Sequence, residues 1–270
     1  MEQTIHLDVG CEIIYEVTEP THLFLMLRPR SGAGQQIKQE AFTLSPVLPV
    51  FEYADTYGNL CQRMEAPTGR FVVRTSAQVE TATTIDVHPG APFTPVLELP
   101  DNVIQFLLPS RYCQSDLLGN QARELIADAA PGYDQVEVIR SWIRANVEYC
   151  YGISNVSTSA QETFTQRKGV CRDFAHLGIA LCRSFDIPAR MVTGYLHQLK
   201  PMDMHAWFEA FVGGRWYTFD ATQEEPRGGR IIVAYGRDAS DVAFAMEFGP
   251  VSLLEMRVWV ESYTSDQIYG

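Results

Sequence analysis

The chain has 270 residues, 46% of them hydrophobic and 20% charged, a balance that supports a buried core in one large domain or two modest ones. Its 33 Asp and Glu against 21 Lys and Arg give a formal charge of −12, which argues against nucleic acid or an anionic membrane surface as a partner but does not set the sign of an active cleft. No apolar run reaches the roughly 18 residues needed to cross a bilayer. Residues 1–6 show no basic segment followed by an apolar run, so no secretory leader is read there and the cytoplasm is the expected compartment.

In chain order, residues 3–107 carry short, turn-rich, strand-like segments. Strands are expected at 5–17, 21–28, 50–55, 60–65 and 71–87, with a hairpin turn at Tyr57-Gly58-Asn59 and a stop at His88-Pro89-Gly90. Such strands need a second layer to bury their apolar face, so an all-β, sandwich-like N-terminal domain is expected over 1–105. Five of the 15 prolines (Pro89, Pro92, Pro95, Pro100 and Pro109) fall between 88 and 110 and mark the connection. Beyond it the period changes. Helices are expected at 121–130, ended by Pro131-Gly132, and at 133–147, with Val136, Ile139, Trp142, Ile143 and Val147 on one face. Ser159 and Glu162 form a capping box that opens a short helix to about 167. The main helix runs from Cys171 to Phe185, with Phe174, Leu177, Leu181 and Phe185 as its buried stripe, and Pro188 ends it. Strand-like segments follow at 189–197, 205–212, 215–221, 230–235 and 251–263. Helices followed by antiparallel strands describe an α+β domain over 106–270.

The six cysteines, at 11, 61, 113, 150, 171 and 182, include no CxxC pair, so free thiols are expected. Cys171 stands apart from the rest. It follows Gly169-Val170 at a helix start, where unpaired amide hydrogens and the positive end of the helix dipole favour a thiolate. The same amides suit the oxyanion of a tetrahedral intermediate. Cys182 lies deep in the helix and reads as packing.

If Gly213-Gly214 are the central pair of a hairpin turn, Val212 faces Arg215, His205 faces Thr222 and Trp207 faces Asp220. Asp220 is then the diagonal neighbour of His205 on the same face of the sheet, close enough to fix its tautomer and support its charge. Cys171, His205 and Asp220 supply nucleophile, base and orienting acid for acyl transfer. His176 reads as core or rim, and His197 is a second candidate for the base. Zinc would need convergent ligands, and His197, Asp203 and His205 converge only if their loop folds back. No HExxH motif is present, and Gly213-Gly214 and Gly228-Gly229 lack the strand-to-helix setting of a phosphate loop. No metal and no cofactor are expected.

Residues 163–177, with Gly169-Val170-Cys171-Arg172-Asp173-Phe174, resemble the nucleophile region of the transglutaminase-like superfamily, whose bacterial members are often described as cysteine proteases. The resemblance continues through Gly194-Tyr195-Leu196, then Met204-His205-Ala206-Trp207-Phe208-Glu209, then Trp216 to Thr222. It implies a papain-like fold, with a helix presenting the thiol against an antiparallel sheet, and it carries the family's nucleophile, base and acid onto Cys171, His205 and Asp220. The β-rich first hundred residues resemble the N-terminal domain that accompanies this core in bacterial proteins. The implied activity is thiol-dependent peptide or amide hydrolysis of a protein or peptide substrate through a thioester. Glutamine cross-linking to amines, or glutamine deamidation, is the alternative, and a binding module without turnover is a third possibility. Tyr149, Tyr151 and Gln166 are candidates for the second oxyanion donor, and Trp207 and Trp216 for the cleft wall.

Overall fold

The computed structural model describes residues 3–32, 34–126 and 128–264. The β-rich half begins with β1 (Thr4–Val17), β2 (Thr21–Leu25), β3 (Gln35–Ser45), β4 (Phe51–Ala54), β5 (Leu60–Ala66) and β6 (Gly69–Ala82). In β6 every second residue from Phe71 to Thr81 is buried, the two-residue period of a strand with one face on the core. Strand β3 was not expected from the sequence. It is an edge strand that turns mostly polar residues to solvent, so apolar alternation is nearly absent from it.

The second half holds α1 (Asp101–Ile104), α2 (Gly119–Ile126), α3 (Tyr133–Asn146), β7 (Glu148–Tyr149), α4 (Ala160–Gln166), β8 (Lys168–Gly169) and α5 (Cys171–Arg183). After these come β9 (Ala189–Leu196), β10 (His205–Val212), β11 (Arg215–Phe219) and β12 (Arg230–Gly236), and the chain returns through β13 (Ala245–Phe248) and β14 (Val251–Ser262). Strands β9 to β12 form one antiparallel sheet in the order β11-β10-β9-β12. Helix α5 is buried from Asp173 to Arg183 and packs on that sheet. Gly178 lets it come close, because a Cβ there would sit 2.5 Å from the Phe208 ring. This is the α+β arrangement of helices against an antiparallel sheet. Among the described residues no helix is long and apolar enough to cross a membrane.

The two sheets of the β-rich half have the orders β14-β1-β6-β3 and β13-β2-β5-β4, so each takes an edge strand from the C-terminal end of the chain. The expected strand at 251–263 therefore exists, but it extends the N-terminal sheets and not the one beneath α5. The reason is local: Gly10 leaves space that the Trp259 indole fills, since a Cβ there would lie 2.3 Å from that ring, and Trp259 Nε1 donates to Asp8 Oδ1 at 2.8 Å.

Side chains from the β-rich half also close the free edge of β12. The Gln35 amide donates to the Ile232 carbonyl at 2.8 Å and accepts from the Ile232 amide at 2.7 Å; Asn59 makes the same pair of bonds with Tyr235, at 2.7 and 2.8 Å. The Thr81 hydroxyl donates to the Arg230 carbonyl at 3.0 Å. One continuous apolar core runs from Leu7 and Leu25 through Leu177 and Phe208. A fragment of residues 106–270 carries β13 and β14 without their partners and leaves the β12 edge open. Such a fragment is expected to lack a cooperative thermal transition by circular dichroism, whereas the whole chain melts in one.

Candidate active site

Three short-range devices build the start of α5. Ser159 and Glu162 cap α4 reciprocally, with Ser159 N donating to Glu162 Oε2 at 2.8 Å and Glu162 N donating to Ser159 Oγ at 3.4 Å. Arg167 then ends α4 in the left-handed region at φ 57°. Finally, β7 and β8 pair in parallel, which brings Tyr149 beside Gly169. Gly169 is needed where it stands, because a Cβ would lie 2.7 Å from the Cβ of the fully buried Asp173. Asp173 in turn accepts the Val170 amide at 2.9 Å, so the helix opens at Cys171, which is half-buried. All six cysteines are free, and the other five lie outside this position.

The base comes from the hairpin. Gly213 and Gly214 have φ of 56° and 78°, as a two-residue turn of this hand requires, and Val212 faces Arg215. The ladder runs from there to Phe208 opposite Phe219, in the register expected from the turn, and Asp220 follows directly. His205 Nε2 meets Asp220 Oδ2 at 2.8 Å, leaving Nδ1 as the ring nitrogen not bonded to the carboxylate. His205 is 2% exposed and Asp220 6%. Thr222 holds the other carboxylate oxygen, Oδ1, through its amide at 3.0 Å and its hydroxyl at 2.7 Å.

Burial opposes charge on both partners, and their attraction overcomes it. The Asp220 charge and hydrogen bond, with a further side-chain interaction from Cys171, raise His205 to about 9. His205 and then Arg230 hold Asp220 well below the usual carboxylate range against the opposing effect of burial. At neutral pH the pair is therefore an imidazolium and a carboxylate.

A cleft of about 620 Å³ opens beside His205. Its apolar wall includes Val147, Tyr149, Tyr151, Phe174, Leu199 and Met204, and its rim carries Arg144, Lys200 and Asp203. Burial, then the Cys171 charge and the Tyr151 phenol, push the Tyr149 phenol well above its usual range. The β7–β8 pairing holds Tyr149 close to the start of α5. Gln166 is exposed at the end of α4 and does not line the cleft, and neither tryptophan forms its wall. Trp207 is buried with Val192, Ile232 and Tyr235, and Trp216 packs against Phe106 and Phe211.

His176 is fully buried, stacked on Tyr112, and accepts the Ala239 amide at 3.1 Å. His197 lies behind, its amide bonded to the Gly229 carbonyl at 2.9 Å. Gly228-Gly229 dock on the end of β6, where their amides reach Thr83 and Ala82 carbonyls at 3.2 and 2.8 Å. Among the described residues no three His, Cys, Asp or Glu side chains converge as a metal site would require. Arg230 was missed by sequence reasoning. It donates to Asp220 Oδ2 at 2.9 Å, and no local motif links the two positions.

Because the folded state raises the His205 pKa above its ordinary 6.5 to about 9, the stability from its charge is fully present below 6.5 and is lost as pH rises through 9. Asp220→Asn removes the charge that supports it. Melting temperature against pH is expected to fall across that window in the natural chain and to be flatter, from a lower plateau, in the variant.

Residues 119–221 match the transglutaminase-like superfamily. The chain is 40% identical to a protein whose crystal structure is described as that of "a Putative Cysteine Protease from Cytophaga hutchinsonii", with 98% of this chain and 92% of that one covered at a TM-score of 0.92. An uncharacterized protein of Mycobacterium leprae is 29% identical over 230 residues, covering 80% of this chain and 82% of that protein. An uncharacterized protein of Mycobacterium tuberculosis is 35% identical over 125 residues, 40% of each chain. With these overlaps, the chain belongs to the transglutaminase-like superfamily, in the cysteine-protease branch whose core is accompanied by an N-terminal β domain.

Proposed function

We propose that the protein hydrolyses peptide or carboxamide bonds through Cys171, His205 and Asp220. The observation that carries this reading is a buried, carboxylate-held imidazole acting on a thiol at a helix N-terminus, with a cleft alongside. With His205 already an imidazolium, Cys171 reacts as the thiolate paired with it and attacks the carbonyl carbon. The tetrahedral oxyanion faces the Cys171 amide, with the Tyr149 phenol as the second donor. The carbon–nitrogen bond breaks as His205 protonates the departing amine, leaving a thioester. Water, deprotonated by the now neutral His205, attacks that carbonyl; the carbon–sulfur bond breaks and the thiolate is restored beside the imidazolium, yielding a carboxylic acid. Asp220 holds the imidazole throughout.

Two rim cations support water over an amine as the acceptor in this reading. A lysine or polyamine arrives as a cation, and the rim presents Lys200 and Arg144, the latter paired with the exposed Glu224 at 3.8 Å, beside Asp203, even though the whole chain carries −12. The apolar wall suits an acyl group with a hydrophobic side chain.

The test incubates the protein with a glutamine-containing polypeptide, with and without a labelled primary amine, and reads the products by mass. Backbone cleavage, lost by at least about a thousandfold in Cys171→Ala, is expected. Amine incorporation, or a gain of about 1 Da at glutamine without cleavage, moves the assignment to glutamine transfer or deamidation. In parallel, a thiol alkylating agent near neutral pH should modify Cys171 ahead of the other five cysteines. Equal rates for Cys171 and a denatured-chain thiol would rule out an activated nucleophile.

A further inference from the structure

Asp220 Oδ2 accepts from two cationic side chains at once, His205 Nε2 at 2.8 Å and Arg230 Nη2 at 2.9 Å. The guanidinium is fixed on several sides. Its Nε donates to the Arg227 carbonyl at 3.1 Å, its carbon lies 4.9 Å from the centre of the Trp207 ring, and the backbone carbonyl of Arg230 accepts the Thr81 hydroxyl at 3.0 Å. Trp207 also lies 5.9 Å from the His205 ring at 30°, so one indole covers both cations. Arg230 is 6% exposed, which keeps water from screening its charge. A surface ion pair is built differently: here a buried guanidinium shares, through Nη2, the carboxylate oxygen that holds His205.

We propose that Arg230 is a positioning residue of this active site, which divides the charge of Asp220 between itself and His205 and thereby keeps the imidazole able to release its proton in the second half of the reaction. The inference rests on the assignment of Cys171, His205 and Asp220 as the reacting groups. A lone Asp220–His205 pair, buried this deeply, would stabilise the imidazolium further and favour the first half-reaction, in which the ring is an acid. Hydrolysis of the thioester needs the neutral ring as a base. A second cation on the same carboxylate oxygen opposes the imidazolium charge and makes the proton easier to lose, while the Thr222 bonds to Oδ1 keep the carboxylate from turning toward Arg230. The other charged groups acting on this cluster are Cys171 from α5, Asp203 from the loop before β10, Arg140 from α3, which is itself bonded to Glu137, and Arg227 from the loop before β12. Of the arginines among them, Arg230 bonds Asp220 directly.

The test follows the His205 ring by NMR across pH, together with the pH dependence of peptide hydrolysis, in the full chain and in Arg230→Gln, Arg230→Met and Arg230→Lys, each first checked for folding by thermal unfolding. With the charge removed, the His205 midpoint is expected to rise by about one unit, a tenfold loss of neutral imidazole at pH values below it. The rising limb of kcat should shift upward by the same amount with KM little changed. Arg230→Lys keeps the charge but not the planar guanidinium held by the Arg227 carbonyl and the Trp207 ring, so its midpoint should stay within about 0.3 unit of the natural chain while kcat falls several-fold. An unshifted or lowered midpoint in a folded neutral variant overturns the proposal, as does a lysine variant that behaves like the neutral ones. If neither neutral variant folds, the lysine variant decides alone: an unshifted midpoint with reduced kcat supports the role, and a shift of a full unit overturns it. The ring titration reads Arg230 even where no peptide is cleaved, so failure of the hydrolase assignment and failure of this inference are separable.

Discussion

The buried carboxylate of Asp220 is the constraint around which the catalytic half is arranged. An ionised group this far from water is costly unless every lone pair is used, and here the Thr222 amide and hydroxyl take one oxygen while His205 and Arg230 share the other. Removing a partner from such a cluster costs about 3–5 kcal/mol, because a charge is left without compensation. The arrangement also fixes the direction of the chemistry. Asp220 occupies Nε2, so Nδ1 is the ring nitrogen not bonded to the carboxylate.

Satisfying Asp220 requires three segments that are not consecutive in the sheet. His205 opens β10, Asp220 and Thr222 follow β11, and Arg230 opens β12, which lies two strands away from β10 in the order β11-β10-β9-β12. The outer edge of β12 would be an open ladder without the amide side chains of Gln35 and Asn59. Thr81, from β6, bonds the carbonyl of Arg230 itself. The β-rich half carries none of the three proposed reacting residues, yet it is bonded to the strand that carries the second partner of Asp220. Its own sheets are closed by β13 and β14, from the far end of the chain, so the two halves are tied by covalent path as well as by a shared core.

Electrostatics at the site run opposite to the chain as a whole. A net −12 describes the averaged surface, whereas the cleft is edged by Arg144 and Lys200 beside Asp203, and behind its wall residue His205 two cations meet on the buried Asp220. Field lines concentrate in a concave site with low-dielectric walls, so the few charges on its rim outweigh distant acidic groups that solvent ions screen.

The sequence by itself determined whatever rests on near neighbours. Ser159 and Glu162 announced the start of α4, and Gly169 with Cys171 announced that of α5. The Gly213-Gly214 turn set the register that makes Asp220 the diagonal neighbour of His205, because a two-residue hairpin leaves one way to pair its arms. Those features located the candidate nucleophile, base and acid. Tertiary structure decided the rest. Alternating burial says that a strand has an inner face but not which sheet receives it, so β14 was read with the wrong layer; β3 was missed because an edge strand with most of its side chains in water carries almost no alternation. Arg230 was invisible for the same kind of reason. Ten residues and a loop separate it from Asp220, and only the order of strands, set by packing between the two halves, brings its guanidinium to the carboxylate.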